Sequence, residues 1–177
     1  MCSLLDDGNG YIISKSLKKS TKEDRKWAMD QNGYTIVDEN FKYKSRIITV
    51  TVKDKAGKSR EIRQKSVVYW SRHFYDRDVA EHKAFLEFIE KLKKSPDSFR
   101  VTKAQAGSLK KFMSKDIVNK ETGEVYDSRK LLGMIDDKKL EEFTELMGYY
   151  QIRTSEIDMD AREVIDKYHG LSRIENQ

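Results

Sequence analysis

Residues Phe41–Trp70 read FKYKSRIITVTVKDKAGKSREIRQKSVVYW. Ile48, Val50 and Val52 alternate with Thr49 and Thr51, the period of a strand with one face turned inward. Asp54-Lys55-Ala56-Gly57 carries turn chemistry, and Ser59–Trp70 resumes a β-branched and aromatic run. The segment therefore predicts two long strands, Phe41–Lys53 and Ser59–Trp70, joined as a hairpin. Basic residues line it: Lys42, Lys44, Arg46, Lys53, Lys58, Arg60, Arg63 and Lys65. Such a ribbon is either a half-buried sheet with a charged solvent face or a surface that lies along phosphates.

Working outward, Gly10–Leu17 reads as a strand. Ser20 and Glu23 form an S-x-x-E capping box for a short helix over 21–29 carrying Trp27. Asp30-Gln31-Asn32-Gly33 is a turn, and Tyr34–Val37 a further apolar strand. On the C-terminal side, Asp76–Lys94 predicts a helix with Val79, Phe85, Leu86, Ile89 and Leu92 on or near one face. Helices are also expected at 104–113 and 138–147, with a small hairpin at 117–126. Gly148 is a C-cap. Residues 148–154 (GYYQIRT) read as a short buried strand, and 158–175 as a helix.

At 177 residues the chain can bury one real core, or one plus a small appendage. Hydrophobic and charged fractions are each 37%, which is polar for a globular domain, but 10% aromatics argue against disorder. The single cysteine, Cys2, excludes an intrachain disulfide and suits a reducing compartment. No apolar run has membrane-spanning length and the N-terminus lacks signal-peptide regions, so a cytoplasmic location is expected. Residues 1–115 hold 26 Lys and Arg against 15 Asp and Glu, a balance of +11. Residues 116–177 hold 9 against 15, a balance of −6. A basic front part points to a polyanion, most often nucleic acid.

Several patterns fail on their own chemistry. Asp6–Ile12 resembles the start of an EF-hand loop, but with Gly10 at loop position 6 the first and twelfth positions fall on Leu5 and Ser16. His73, His82 and His169 are far apart and make no zinc pattern with one cysteine. His73 sits among Tyr69, Trp70, Phe74 and Tyr75, which reads as a core cluster before it reads as a base-stacking platform. Asp38 and Asp136 follow apolar residues and with Glu175 could be a metal triad, yet Asp136 reads more simply as the N-cap of the next helix. Glu175 shares a helix face with Val164, Tyr168 and Leu171 at spacings of 4, 3 and 4.

Gly148-Tyr149-Tyr150, Thr154-Ser155-Glu156 and Tyr168-His169-Gly170-Leu171-Ser172-Arg173-Ile174-Glu175 resemble the end of the catalytic domain of bacterial insertion-sequence DDE transposases. In that family a ribonuclease-H-like domain carries a β insertion before its catalytic Glu. Tyr168 and Glu175 match the family's signature, whereas Leu171 stands where the signature has Arg. Gly10–Ser16 is similar to the strand that follows the second catalytic Asp. The resemblance implies an α+β fold in three parts. Residues 1–29 would be a strand and short helix of an incomplete ribonuclease-H-like core. Residues 30–147 would be the β-rich insertion with its helical part, and 148–177 the last strand and the truncated catalytic-Glu helix. Both catalytic Asp residues would lie before Met1, making the chain a transposase fragment inactive by itself. In the intact parent, Mg2+-dependent phosphodiester cleavage and strand transfer would use Glu175 as third metal ligand. Tyr168 would position DNA, and the parent would act as a homo-oligomer. From charge alone, Arg173, Lys42, Lys44, Arg46, Arg60, Arg63 and Lys65 are candidate DNA contacts. The competing expectation is a non-catalytic nucleic-acid-binding protein that uses the basic hairpin.

Overall fold

A computed structural model describes residues 9–53, 57–95, 103–109, 112, 132–133 and 135–175, with backbone alone at 103–104, 106 and 172–175. The chain is α+β. Its elements are β1 (Ile12–Lys15), a 3-10 turn (Leu17–Lys19), α1 (Lys22–Met29), β2 (Thr35–Asp38), β3 (Phe41–Lys53) and β4 (Ser59–Ser71). There follow α2 (Arg72–Lys94), α3 (Lys103–Leu109), α4 (Asp137–Glu145), β5 (Tyr149–Thr154) and α5 (Ala161–Glu175). The chain forms two compact units, residues 1–75 with 148–177, and residues 76–147.

The first unit is built on one sheet in the order β1-β5-β4-β3-β2, with all four pairings antiparallel. Residues 30–75, grouped with 76–147 by the sequence reading, thus share a sheet with β1 and β5. Register sorts the side chains between two faces. One face carries Val67, Tyr69 and Ile152, which pack with Ala161, Val164 and Ile165 of α5. Phe41, Tyr43, Phe74, Tyr150 and Tyr168 close round them. Tyr69 is the hub of this cluster, with ring centroids of Phe41, Phe74 and Tyr150 at 6.0, 6.2 and 5.9 Å. The other face carries Lys44, Arg46, Ser66, Gln151 and Arg153 and is covered by α1. The result is three layers, helix on sheet on helix.

Local rules explain most boundaries and two departures. α1 starts one residue later than the capping box predicts: Thr21, not Ser20, is the N-cap, its side chain accepting from Asp24 N at 3.1 Å. Ser20 Oγ is drawn instead to the buried Gln151 Oε1 at 3.0 Å, a tertiary bond that outcompetes the cap. β2 forms as expected but not as a buried apolar strand. It is the sheet edge, and Ile36 and Val37 are 73% and 52% exposed. α5 opens at Asp160, whose carboxylate accepts from Arg162 N at 2.8 Å.

In the second unit, α2 buries Phe88, Ile89 and Leu92, and α4 buries Leu140 and Phe143. Phe112 stacks on Phe85 at 5.2 Å and meets Phe143 edge-on at 5.1 Å. Asp136 is the N-cap of α4, accepting from Lys139 N at 3.3 Å. The hairpin expected at 117–126 lies outside the described residues. No helix among the described residues is long and apolar enough to cross a membrane.

Candidate nucleic-acid interface

The basic hairpin is two different surfaces. At its root, strand alternation puts Lys42, Lys44 and Arg46 together on the face under α1. There their charges are consumed internally. Lys44, 6% exposed, donates to Asp30 O at 2.5 Å and Asn32 O at 3.2 Å, tying down the turn that follows α1. Its ammonium lies 4.4 Å from the Tyr34 ring centre and 5.0 Å from that of Trp27. Burial pushes the Lys44 pKa down, against an opposing pull from Asp30. Lys42 donates to Gln31 Oε1 at 2.6 Å and sits among the rings of Tyr34, Tyr149 and Trp70 at 5.1 to 5.7 Å. The Tyr34 hydroxyl donates to Ala28 O at 2.7 Å, and burial pushes its pKa up.

Arg46 belongs to a buried ionic cluster centred on Asp24. The Asp24 carboxylate accepts from Arg46 Nη2 at 2.9 Å and from Arg153 Nη2 at 2.9 and 3.0 Å, with Lys15 Nζ at 3.8 Å. Arg46 also lies 4.4 Å over Trp27. The Arg153 side chain is only 3% exposed, and its Nε and Nη1 find no acceptor among the described residues. Burial works to raise the Asp24 pKa, but the attraction of Arg153, Arg46 and Lys15 outweighs it, and the net shift is downward. This cluster joins α1, β3 and β5.

Beyond the root the hairpin becomes an arm. β5 accompanies β4 only as far as the Lys65–Thr154 pair, and β2 accompanies β3 only from Phe41 to Tyr43. The six pairs from Ile48–Gln64 to Lys53–Ser59 form a two-stranded ribbon with no third strand among the described residues. At 3.3 Å per residue the ribbon projects roughly 20 Å. Its two faces differ. On the α1 side, Ile62 and Gln64 are buried at 8% and 2%. On the α5 side, Thr49, Thr51, Lys53, Ser59, Glu61 and Arg63 are all exposed, and Ile47 is 48% exposed. That open face aligns three hydroxyls, two cations and the Glu61 carboxylate along a strip one ribbon wide. Gly57, two residues before Ser59, has φ +79°.

The sequence-derived candidates distribute accordingly. Arg63 is exposed on the open face, and Arg60 is exposed on the other. Lys65 is half-buried and donates to Met159 O. Tyr168 packs against the α5 core cluster, meeting the His169 ring edge-on at 5.7 Å. Beyond it Leu171 is 51% exposed, so the helix stripe leaves the core there. The side chains of Arg173 and Glu175 lie outside the described residues. Asp38 accepts from Asn40 N at 2.7 Å, a turn contact. His73 is exposed, 5.4 Å from the Phe74 ring. His169 is the histidine held in the aromatic cluster, 5.7 Å from both Tyr69 and Phe74. Among the described residues no grouping of three His, Cys, Asp or Glu could hold a metal ion.

Sequence reasoning did not find the Asp24–Arg153 pair. Its partners are 129 residues apart and leave no local trace. The hydroxyls of the arm were visible only as β-formers. No family model, no curated protein and no solved structure matches this chain.

Proposed function

We propose that this protein binds duplex DNA non-catalytically, laying the open face of the β3–β4 arm along the phosphate backbone and into a groove. A two-stranded ribbon is one of the elements the major groove admits. Lys53 and Arg63 supply counter-charge, and Thr49, Thr51 and Ser59 supply donors of the kind that fix register on phosphates. The observation that carries the reading is the exposure of this hydroxyl-and-cation strip on an arm whose balance over 47–53 and 57–63 is four basic residues to one acidic. The root cations play a different part: they hold α1 and the turn after it against the sheet.

Titration of a fluorescently labelled duplex tests this. Lys53→Glu with Arg63→Glu is expected to weaken binding at least tenfold and to make the salt dependence shallower by roughly 2 in log–log slope. Lys44→Met is expected to lower thermal stability while leaving the affinity of the folded protein within about threefold. Unchanged affinity in the double variant would remove the arm from the interface.

A second reading is supported by the succession of β5 and α5, with Tyr168 at the edge of the core, together with the sequence resemblance. On it the chain is part of an insertion-sequence transposase catalytic domain, of the ribonuclease-H-like class, working in the cytoplasm on DNA. The expected result is that this chain with Mg2+ and element-end DNA neither nicks nor joins it. Cleavage that disappears in Glu175→Ala would show instead that the chain is catalytically sufficient.

A further inference from the structure

A second basic surface lies on the opposite side of the sheet from the arm's open face. Lys15, Lys18, Lys19, Lys22 and Lys26 are all exposed on β1, the 3-10 turn and α1. Over residues 15–26 six basic residues face two acidic ones, and one of these, Asp24, is buried in the ionic cluster. The other, Glu23, is 84% exposed. The arrangement is forced by the fold. Asp24 and Ala28 must point inward to meet the sheet, which leaves Lys22 and Lys26, one helical turn apart, stacked on the outer side. Lys18 and Lys19 extend the row through the preceding turn.

Register fixes which side this is. α1 covers the face bearing Lys44, Arg46, Gln151 and Arg153. Thr49, Thr51 and Arg63 of the arm belong to the face bearing Tyr43, Tyr69 and Ile152. A helix layer alone is about 10 Å thick, more than the Debye length of about 8 Å at physiological ionic strength. The lysine row therefore contributes little to the field felt by a polyanion on the arm. It is an independent attractor, pointing away from the first.

We propose that this lysine row is a second nucleic-acid surface, and that one copy of the protein bridges two duplex segments, one on each side of its sheet. The proposal rests on the reading of the arm as a DNA surface and adds to it a second site and a bridging activity.

The test uses the full chain, a duplex fixed on beads and a second, fluorescent duplex in solution. Lys19→Gln, Lys22→Gln and Lys26→Gln are combined in one variant; all three side chains are exposed, so the fold is preserved. The wild type is expected to capture the second duplex. The triple variant is expected to bind a single duplex within about threefold of wild type yet capture the second at least tenfold less. A wild type that binds the first duplex but captures no second overturns bridging and leaves the arm reading intact. Equal capture by the triple variant, or capture rising with the square of protein concentration, places bridging in a pair of copies and overturns it too. Failure to bind any duplex removes both readings together.

Discussion

Asp24→Asn is expected to cost about 3–5 kcal/mol of folding stability at neutral pH, the range for removing one partner of a buried ion pair. The reason is the state in which it leaves Arg153. With its side chain 3% exposed, and Nε and Nη1 without acceptors among the described residues, Arg153 depends on Asp24 to offset its burial. Arg46 loses the same carboxylate, and an amide gives back hydrogen bonds but no charge. Urea denaturation at pH 7 measures the effect. Adding Arg153→Met is expected to recover part of the loss, because the unpaired charge goes with it; the cycle isolates the coupling. The pH dependence has a definite sign. The folded Asp24 pKa lies below its ordinary value of 3.8, so its contribution is complete above that value. It is lost as pH falls through the lower, folded pKa. Wild-type stability should therefore fall in acid below about pH 4 by more than that of Asp24→Asn. Parallel acid profiles would show that the carboxylate charge does not hold this cluster.

Gly148→Ala is expected to be the second large loss, about 2–5 kcal/mol from left-handed strain and overpacking together. Gly148 has φ +79°, and an added Cβ would stand 2.7 Å from Trp70 Nε1 and 2.8 Å from Tyr75 Cβ. The Tyr75 Cα, a backbone atom, would stand at 3.0 Å. Gly148 O accepts from Ser71 N at 3.1 Å, fixing the start of β5 against the end of β4. Gly33→Ala is the control. It has nearly the same φ, +77°, with nothing within 4 Å of the new Cβ, so it should cost only the conformational strain of about 1–2 kcal/mol. Thermal denaturation of both variants separates the two causes. Equal losses would mean that Trp70 and Tyr75 give way.

What the sequence made legible follows from the range of each interaction. The β3–β4 hairpin was readable because alternation and turn chemistry are local, and the pairing from Phe41–Ser71 to Lys53–Ser59 needs nothing else. The Asp136 cap of α4 was readable for the same reason. The capping frame of α1 slipped by a residue because Ser20 answers to Gln151, far along the chain. The exposure of β2 was hidden because composition cannot tell an edge strand from a central one. The cations were the hardest case. Lys42, Lys44, Arg46 and Arg63 look alike in sequence, but rings, carbonyls and Asp24 take up the first three, while Arg63 stands on the open face of a ribbon. Only the register divides them. The ribonuclease-H-like assignment rests on the sequence resemblance, and what the structure supplies is an antiparallel five-stranded sheet between helices.

The most direct test of the arm as the DNA-binding element is a map of backbone amide chemical shifts with and without an unlabelled duplex at low salt. The largest changes are expected at Ile47–Lys53 and Ser59–Arg63, reversed by added salt, with the amides around Val67, Tyr69 and Ile152 unmoved. Shifts that leave the arm untouched, or appear only in α5, would contradict it.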